Sequence, residues 1–392
     1  MIRAGVGYSV IEDTGQAAVA ATSDALRNAQ LSRARAALCF ATGAHAGAFP
    51  LLVRTVGERA STKNVVGCGA AGVIAHNHEF ENVPAVAVAV FGGDGLRVQR
   101  AFVPGVRNRE VEAARELVKI LTPLADCRNL LLVFADSYNC DPELLVEELR
   151  WKLAGVDIIG AGATEDGSTG VTFQFCGNVV SNDSVCALLL SGNFELDIGI
   201  CSAAQLLSGG HLVTAAQDNL LLELDGRPAL EVFRQDVGAL ASDLRRALNV
   251  VSLCVNVRLG ARRLERGAFV MRNILGLDPA KGFLWVGHEL REGDLVGFAL
   301  REPGYARADL QAMLNELSLR RTRSPTFGLY FDCVARGSAF YGIRDHDVSY
   351  IQAALGPLAL AGFFTGFEVG PVAGATQALQ YAGVLVLVSD CD

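Results

Sequence analysis

The side chains best suited to chemistry in this chain sit where apolar runs end. After TFGLYF come Asp332, Cys333, Arg336 and Gly337, and after PLALAGFF come Thr365 and Glu368. A guanidinium presents a planar fork that suits a carboxylate, and a carboxylate accepts from an amino group. If the two runs form a parallel pair, both loops lie at one sheet edge, and an amino-acid-like ligand fits between Arg336 and Glu368. The alternative is that these two residues bridge each other and close the domain, as many loop ion pairs do. Equivalent loops elsewhere add Gly67, Cys68 and Gly69 (NVVGCGAAGVI), Ser137, Tyr138 and Asn139 (after NLLLVFA), and Gly162, Thr164, Glu165 and Asp166 (GAGATEDG). His45 lies in a further loop of this kind.

Other chemistries have weaker footing. Gly67 to Gly72 satisfies G-x-G-x-x-G, but the following AGVIAHNHEFENVP does not read as a helix, and Asp94 comes late for a ribose contact. The glycines are read instead as permitting a sharp turn at a strand end. Cys68 and Cys333 follow apolar runs in corresponding loops; a thiol-dependent enzyme needs one of them acidic and accessible, whereas buried thiols are inert. Ser137 lacks a G-x-S-x-G elbow. On a strand, His76 and His78 would share a face, but a metal needs three or four ligands and no third is evident, so no metal is expected. His211 is the candidate axial ligand should haem bind. The arginines at 258, 262, 263 and 266 read as a solvated face.

These loops imply a repeated positioning element. Three stretches, Ala36 to Ile74, Asn129 to Gly170 and Thr326 to Pro371, each read as strand, polar loop, amphipathic helix, strand and glycine loop. Phe40 with Gly67, Phe134 with Gly160 and Phe331 with Gly362 align the copies. Asp141 followed by Pro142 is a helix start. Between copies lie the β runs 83–91, 170–177 and 184–192, with a hairpin expected from 282–290 and 294–302 around the turn REGD. Amphipathic helices are expected at 108–122 and 228–248. The architecture is therefore α/β (α+β), with mixed sheets built from repeated strand-loop-helix-strand units in two domains, 1–226 and 227–392.

Composition narrows the function classes. The 392 residues are 51% hydrophobic and 19% charged, with 42 glycines and a net charge of −8. Such a chain buries a sizeable core and is neither disordered nor a coiled coil. Its acidity argues against nucleic acid, whose phosphates need clustered cations. The start of the chain lacks the layout of a signal peptide, and no apolar run is long enough to span a membrane. Ten scattered cysteines without a C-x-x-C pair suit a reducing compartment. The expectation is a cytoplasmic protein, with an apolar content that also suits a homo-oligomer interface.

The order and spacing of several stretches resemble the FIST family, which pairs an N-terminal and a C-terminal FIST domain. They are NVVGCGAAGVI, VDIIGAGAT, SVCALLLSG and HLVTAAQDNLLLELDGRPALEVF, then RNILGLDPAKGFLWVGHELREGDLVGF, FDCVARGSAFYG and PLALAGFFTGFEVGP. The resemblance implies a bacterial-type cytoplasmic sensory protein. It would bind a small ligand such as an amino acid, act in signal transduction through a separate partner, and have no catalysis of its own. It also implies an alternative, a haem-binding nitric-oxide sensor; otherwise no cofactor is expected. Gly366-Phe367 replaces the family's usual Asn-Gly pair before Glu368, and Leu379-Gln380 replaces a usual Leu-His.

Overall fold

The computed structural model describes residues 2–391. The chain forms two compact units. The first comprises residues up to Ile200, Gln311–Pro371 and the chain from Thr376; the second is Cys201–Leu310 with Val372–Ala375.

In the first unit, each of the three repeats supplies a parallel strand pair joined by a crossover helix. Ala36–Thr42 pairs with Val65–Ala70, Arg128–Asp136 with Asp157–Ala163, and Phe327–Cys333 with Leu360–Thr365. Each pair lies inside its own six-stranded mixed sheet. On one side an antiparallel strand follows: Val86–Gly92, Ser184–Gly192 or Ala382–Asp390. On the other side a hairpin arrives from a different repeat. The hairpin after the first pair, Gly72–Ala75 with His78–Glu81, joins the third sheet. That after the second, Gln174–Cys176 with Val179–Ser181, joins the first. The strands Glu368–Val372 and Ala375–Leu379, after the third pair, join the second. The exchange is cyclic.

The aligned residues show why the repeats pack this way. Phe40, Phe134 and Phe331 meet in one buried aromatic cluster, with ring centroids 5.5, 5.7 and 6.3 Å apart, and Phe363 joins it. Gly67, Gly160 and Gly362 stand opposite Cys39, Val133 and Tyr330, the residues preceding those phenylalanines. A Cβ at the three glycines would lie 1.8, 2.1 and 1.7 Å from the facing carbonyl oxygens. The glycines are thus mid-strand residues required by close backbone approach, a correction to the expected sharp turn. Helices Thr14–Asn28 and Phe49–Ala60 cover the outer face of the first sheet, and Glu110–Ile120 and Pro142–Lys152 that of the second. Asp141 caps the last of these by accepting from Glu143 N, with Pro142 at its first position.

The second unit holds a nine-stranded antiparallel assembly around Val251–Asn256, Leu295–Arg301 and His211–Gln217. Two expectations fail here. Phe283–Val286 pairs with Leu220–Leu224 and Ile274–Asp278, whereas Leu295–Arg301 pairs with Val251–Asn256 and His211–Gln217, so the two runs flanking REGD do not form a hairpin. The stretch 228–248 is also not one helix. It breaks after Ala229–Val237 because Gly238 takes φ 57°, and it resumes at Leu244–Val250. The expected domain limit at 226/227 falls inside this unit, in a turn between strands that pair Leu224 with Arg227.

Candidate functional site

The third repeat concentrates the ionisable groups. Strand alternation puts Tyr330 and Asp332 on one face, and the chain leaves Cys333 through the turn Val334–Arg336. Helix His346–Leu355 returns with Asp347 in its first turn, where the helix dipole favours an anion. Arg336 Nε donates to Asp332 Oδ1 at 2.7 Å and Nη2 to Asp347 Oδ2 at 2.8 Å. Tyr330 OH donates to Asp347 Oδ2 at 2.6 Å, and His346 Nδ1 lies 2.7 Å from Asp347 Oδ1. The His346 ring stacks on Tyr341 at 3.7 Å. Arg336 has 0% side-chain exposure and both aspartates 1%.

Burial decides the charges. It acts to raise Asp347, but the Arg336 guanidinium and the surrounding donors prevail and hold it at about 2. Asp332 is pushed well above the carboxylate range by burial, against the pull of Arg336. Glu79, from the exchanged hairpin, is raised to about 8 by burial and by Asp347; its carboxylate accepts from His346 N and Val348 N. One guanidinium therefore sits between two buried aspartates, lowering Asp347 while burial raises Asp332.

Glu368 closes the same network. Thr365 stands opposite Cys333 in the parallel pair, so the two loops do share a sheet edge. Thr365 Oγ1 lies within bonding reach of both the Asp332 carbonyl, at 3.1 Å, and the Glu368 carboxyl. One hydroxyl proton serves only one of these, and a neutral Glu368 supplies the proton for the other. Glu368 is indeed raised to about 8 by burial. The expected ligand span from Arg336 to Glu368 is therefore corrected: both are buried, and Arg336 is held by Asp332 and Asp347. Gly337 has no room for a ligand either, since Glu81 occupies the space a Cβ would take and accepts from Ser338 N.

Other expected residues join the repeats to one another. Thr164 Oγ1 accepts from Ala71 N at 2.9 Å and donates to the Phe364 carbonyl, while Thr164 N donates to Gly69 O. One residue, through its backbone and side chain, thus ties the second strands of the other two repeats to its own. Ser137 Oγ is buried without a hydrogen-bond partner, against Gly162, Gly366 and Phe367. Gly67, Cys68 and Gly69 lie inside a buried strand, and Gly72–Ala75 follows as another strand, so the glycine pattern opens no helix. Burial pushes the Cys68 and Cys333 thiols well above their ordinary value.

The histidines resolve differently from expectation. His76 is in a hairpin turn at φ 55°, so it shares no strand face with His78. His211 lies 2.7 Å from Asp225 Oδ2 through Nδ1 and 2.9 Å from Asp236 Oδ2 through Nε2. Burial disfavours its charge, but the two carboxylates raise its pKa overall. With both ring nitrogens so engaged, it is not placed as an axial haem ligand. Among the described residues no group of three or more His, Cys, Asp or Glu could hold a metal ion.

Accessible polar groups remain on loops of the first two repeats. Tyr138, 57% exposed, donates to Glu165 Oε1 at 2.8 Å. Glu165 Oε2 accepts from Thr169 N and Oγ1. The Asp166 carboxylate lies 3.3 Å from the Cβ position of Gly43, in the first repeat's loop. Arg107 Nε donates to Asn139 Oδ1 at 2.7 Å, and Asn139 Nδ2 donates to Asp136. Arg107 was not singled out from sequence; only its distance of about thirty residues from Asn139 separates it from the loop it serves.

Residues 35–227 match the FIST N domain and residues 229–371 the FIST C domain. The chain belongs to the FIST family. Among relatives, this FIST protein is 27% identical over 401 residues to an uncharacterized protein of Mycobacterium tuberculosis, covering 99% of this chain and 100% of that one. An uncharacterized protein of Mycobacterium bovis is 28% identical over 392 residues, with 99% of each chain covered. Among solved structures, a cyanuric acid hydrolase from A. caulinodans aligns with a TM-score of 0.37 at 10% identity, covering 100% of this chain and 99% of that one. No helix among the described residues is long and apolar enough to cross a membrane.

Proposed function

We propose that this FIST protein is a small-ligand sensory protein whose ligand is amino-acid-like and whose bound state is passed to a separate signalling partner. Family membership supports the sensory role. The observation that carries the ligand class is the meeting of exposed loops at the strand ends of the first two repeats. There Asp166 and Glu165 offer carboxylates to an ammonium group, and Arg107, beside Asn139, offers a guanidinium to a carboxylate. The Arg336 network lies beneath the third repeat's strand ends as fixed structure.

Thermal shift against a panel of free amino acids tests this reading, because a ligand that binds only the folded state raises Tm with concentration. At least one amino acid should give a saturable rise that Asp166→Asn and Arg107→Gln both weaken. A panel without any saturable rise, or a rise indifferent to both substitutions, would refute it.

A further inference from the structure

At the opposite ends of the first sheet's strands lies a cleft of about 490 Å³. Arg3, Ser32, Arg33, Arg35, Ser61 and Asp94 supply its polar lining. Ala36–Thr42 starts here and Val86–Gly92 ends here, so a strand of seven residues, about 20 Å long, separates it from the loop at Gly43.

The cleft's charge opposes that of the protein. The chain carries a net −8, yet here three guanidinium groups face one carboxylate. That carboxylate, Asp94, is fully exposed and stands 3.9 Å from Arg35, a separation worth little in water. Arg35 is fixed by donation from Nε to Gly93 O at 2.7 Å. Arg3 donates to the Gln30 carbonyl at 3.3 Å. Arg33 is exposed and pairs with no acidic side chain among the described residues. Guanidinium groups with flanking serine hydroxyls are a donor set that suits a tetrahedral oxyanion. A surplus of two positive charges matches a dianion.

We infer that this cleft binds the phosphoryl group of a small phosphomonoester. Arg33 is the exposed clamp, Arg35 the fixed wall and Arg3 the rim. The volume lies within the usual range for small-molecule sites, roughly 300–1,000 Å³, so the cleft has space for an organic moiety beyond the phosphate.

Isothermal titration of the full chain with glycerol 3-phosphate, inorganic phosphate and succinate, at matched ionic strength, tests the assignment. Saturable binding of the phosphate ester, weakened about ten-fold or more by Arg33→Glu and by Arg3→Gln, is expected from loss of a charged hydrogen bond. Binding of inorganic phosphate without the ester would keep the phosphoryl chemistry and name the free ion as its source. Succinate binding as tightly as phosphate, no saturable heat from any probe, or unchanged affinity in Arg33→Glu would overturn the inference. Both arginines are exposed, and unaltered circular dichroism verifies that the variants fold. Asp166→Asn should leave phosphate binding intact, so this site and the strand-end loops fail or succeed separately.

Discussion

Replacing Gly362 by Ala tests the central claim about how the repeats hold together. The new methyl carbon would stand 1.7 Å from Tyr330 O, which is 1.3 Å inside the 3.0 Å limit that real Cβ contacts respect (3.0 − 1.7). The obstacle is a backbone carbonyl in the paired strand, and it cannot rotate away as a side chain would. The strands must part by more than an ångström where the hydrogen-bonded spacing is about 4.8 Å, which also strains the aromatic cluster around Phe331 and Phe363. Overpacking in a well-packed core costs about 1–3 kcal/mol, occasionally more; an immovable partner places this substitution at about 3 kcal/mol or above. That is a large fraction of a typical stability of about 5–15 kcal/mol. Urea unfolding followed by circular dichroism measures it, with Gly47→Ala as control because a Cβ there meets nothing within 4 Å. Gly67→Ala and Gly160→Ala should behave alike, at 1.8 and 2.1 Å. A Gly362→Ala protein within about 1 kcal/mol of wild type would refute the close-approach argument.

Three further outcomes are expected. Arg336→Met leaves Asp347 buried without its cation and should cost about 3–5 kcal/mol in the same urea assay. Glu368 and Glu79 hold protons in the folded state up to about pH 8, whereas unfolded glutamate releases them near about 4.3. Stability is therefore full below the unfolded value and falls as pH rises toward 8, and Glu368→Gln should flatten that decline when unfolding is measured across the window. Iodoacetamide at neutral pH should label Cys127 and Cys391, the two partly exposed thiols, well before Cys68 and Cys333; early labelling of either buried thiol would revive a thiol-dependent enzyme.

The repeat was legible in sequence because its cause is local and severe. A glycine opposite the residue before a phenylalanine tolerates no substitute, so the spacing survives as a pattern. The hairpin exchange was not legible, since strand pairing between distant segments leaves no periodic trace: nothing in HNHEFE says that it adds to a sheet begun at Phe327. The site reading failed for a related reason. Arg336 and Glu368 stand at paired strand ends as their positions suggest, but Asp347 reads in sequence as one more polar residue of a helix start, and only packing turns it inward onto Arg336. Arg3, Arg33 and Arg35 went unnoticed because a strand pairing brings the first of them to the other two. The doubled arginine just before AALCFA was the available sign.

The cyclic hairpin exchange sets an order on biosynthesis. As the chain emerges from the ribosome, the first sheet lacks its exchanged edge hairpin until Ser181 has been made and the second until Leu379. The third, whose exchanged hairpin is made early, still lacks the interior strand Ala382–Asp390. The sheet begun first waits on the repeat behind it, and the other two wait on strands from the end of the third repeat onward. Most of the nascent chain therefore carries open strand edges, the form of backbone most exposed to wrong pairing. A gene fragment ending near residue 227 would give the second sheet no closing strands and would release the strand Gly72–Ala75 with no sheet to join. The two family domains are adjacent lengths of sequence, but the first compact unit takes its strands from both.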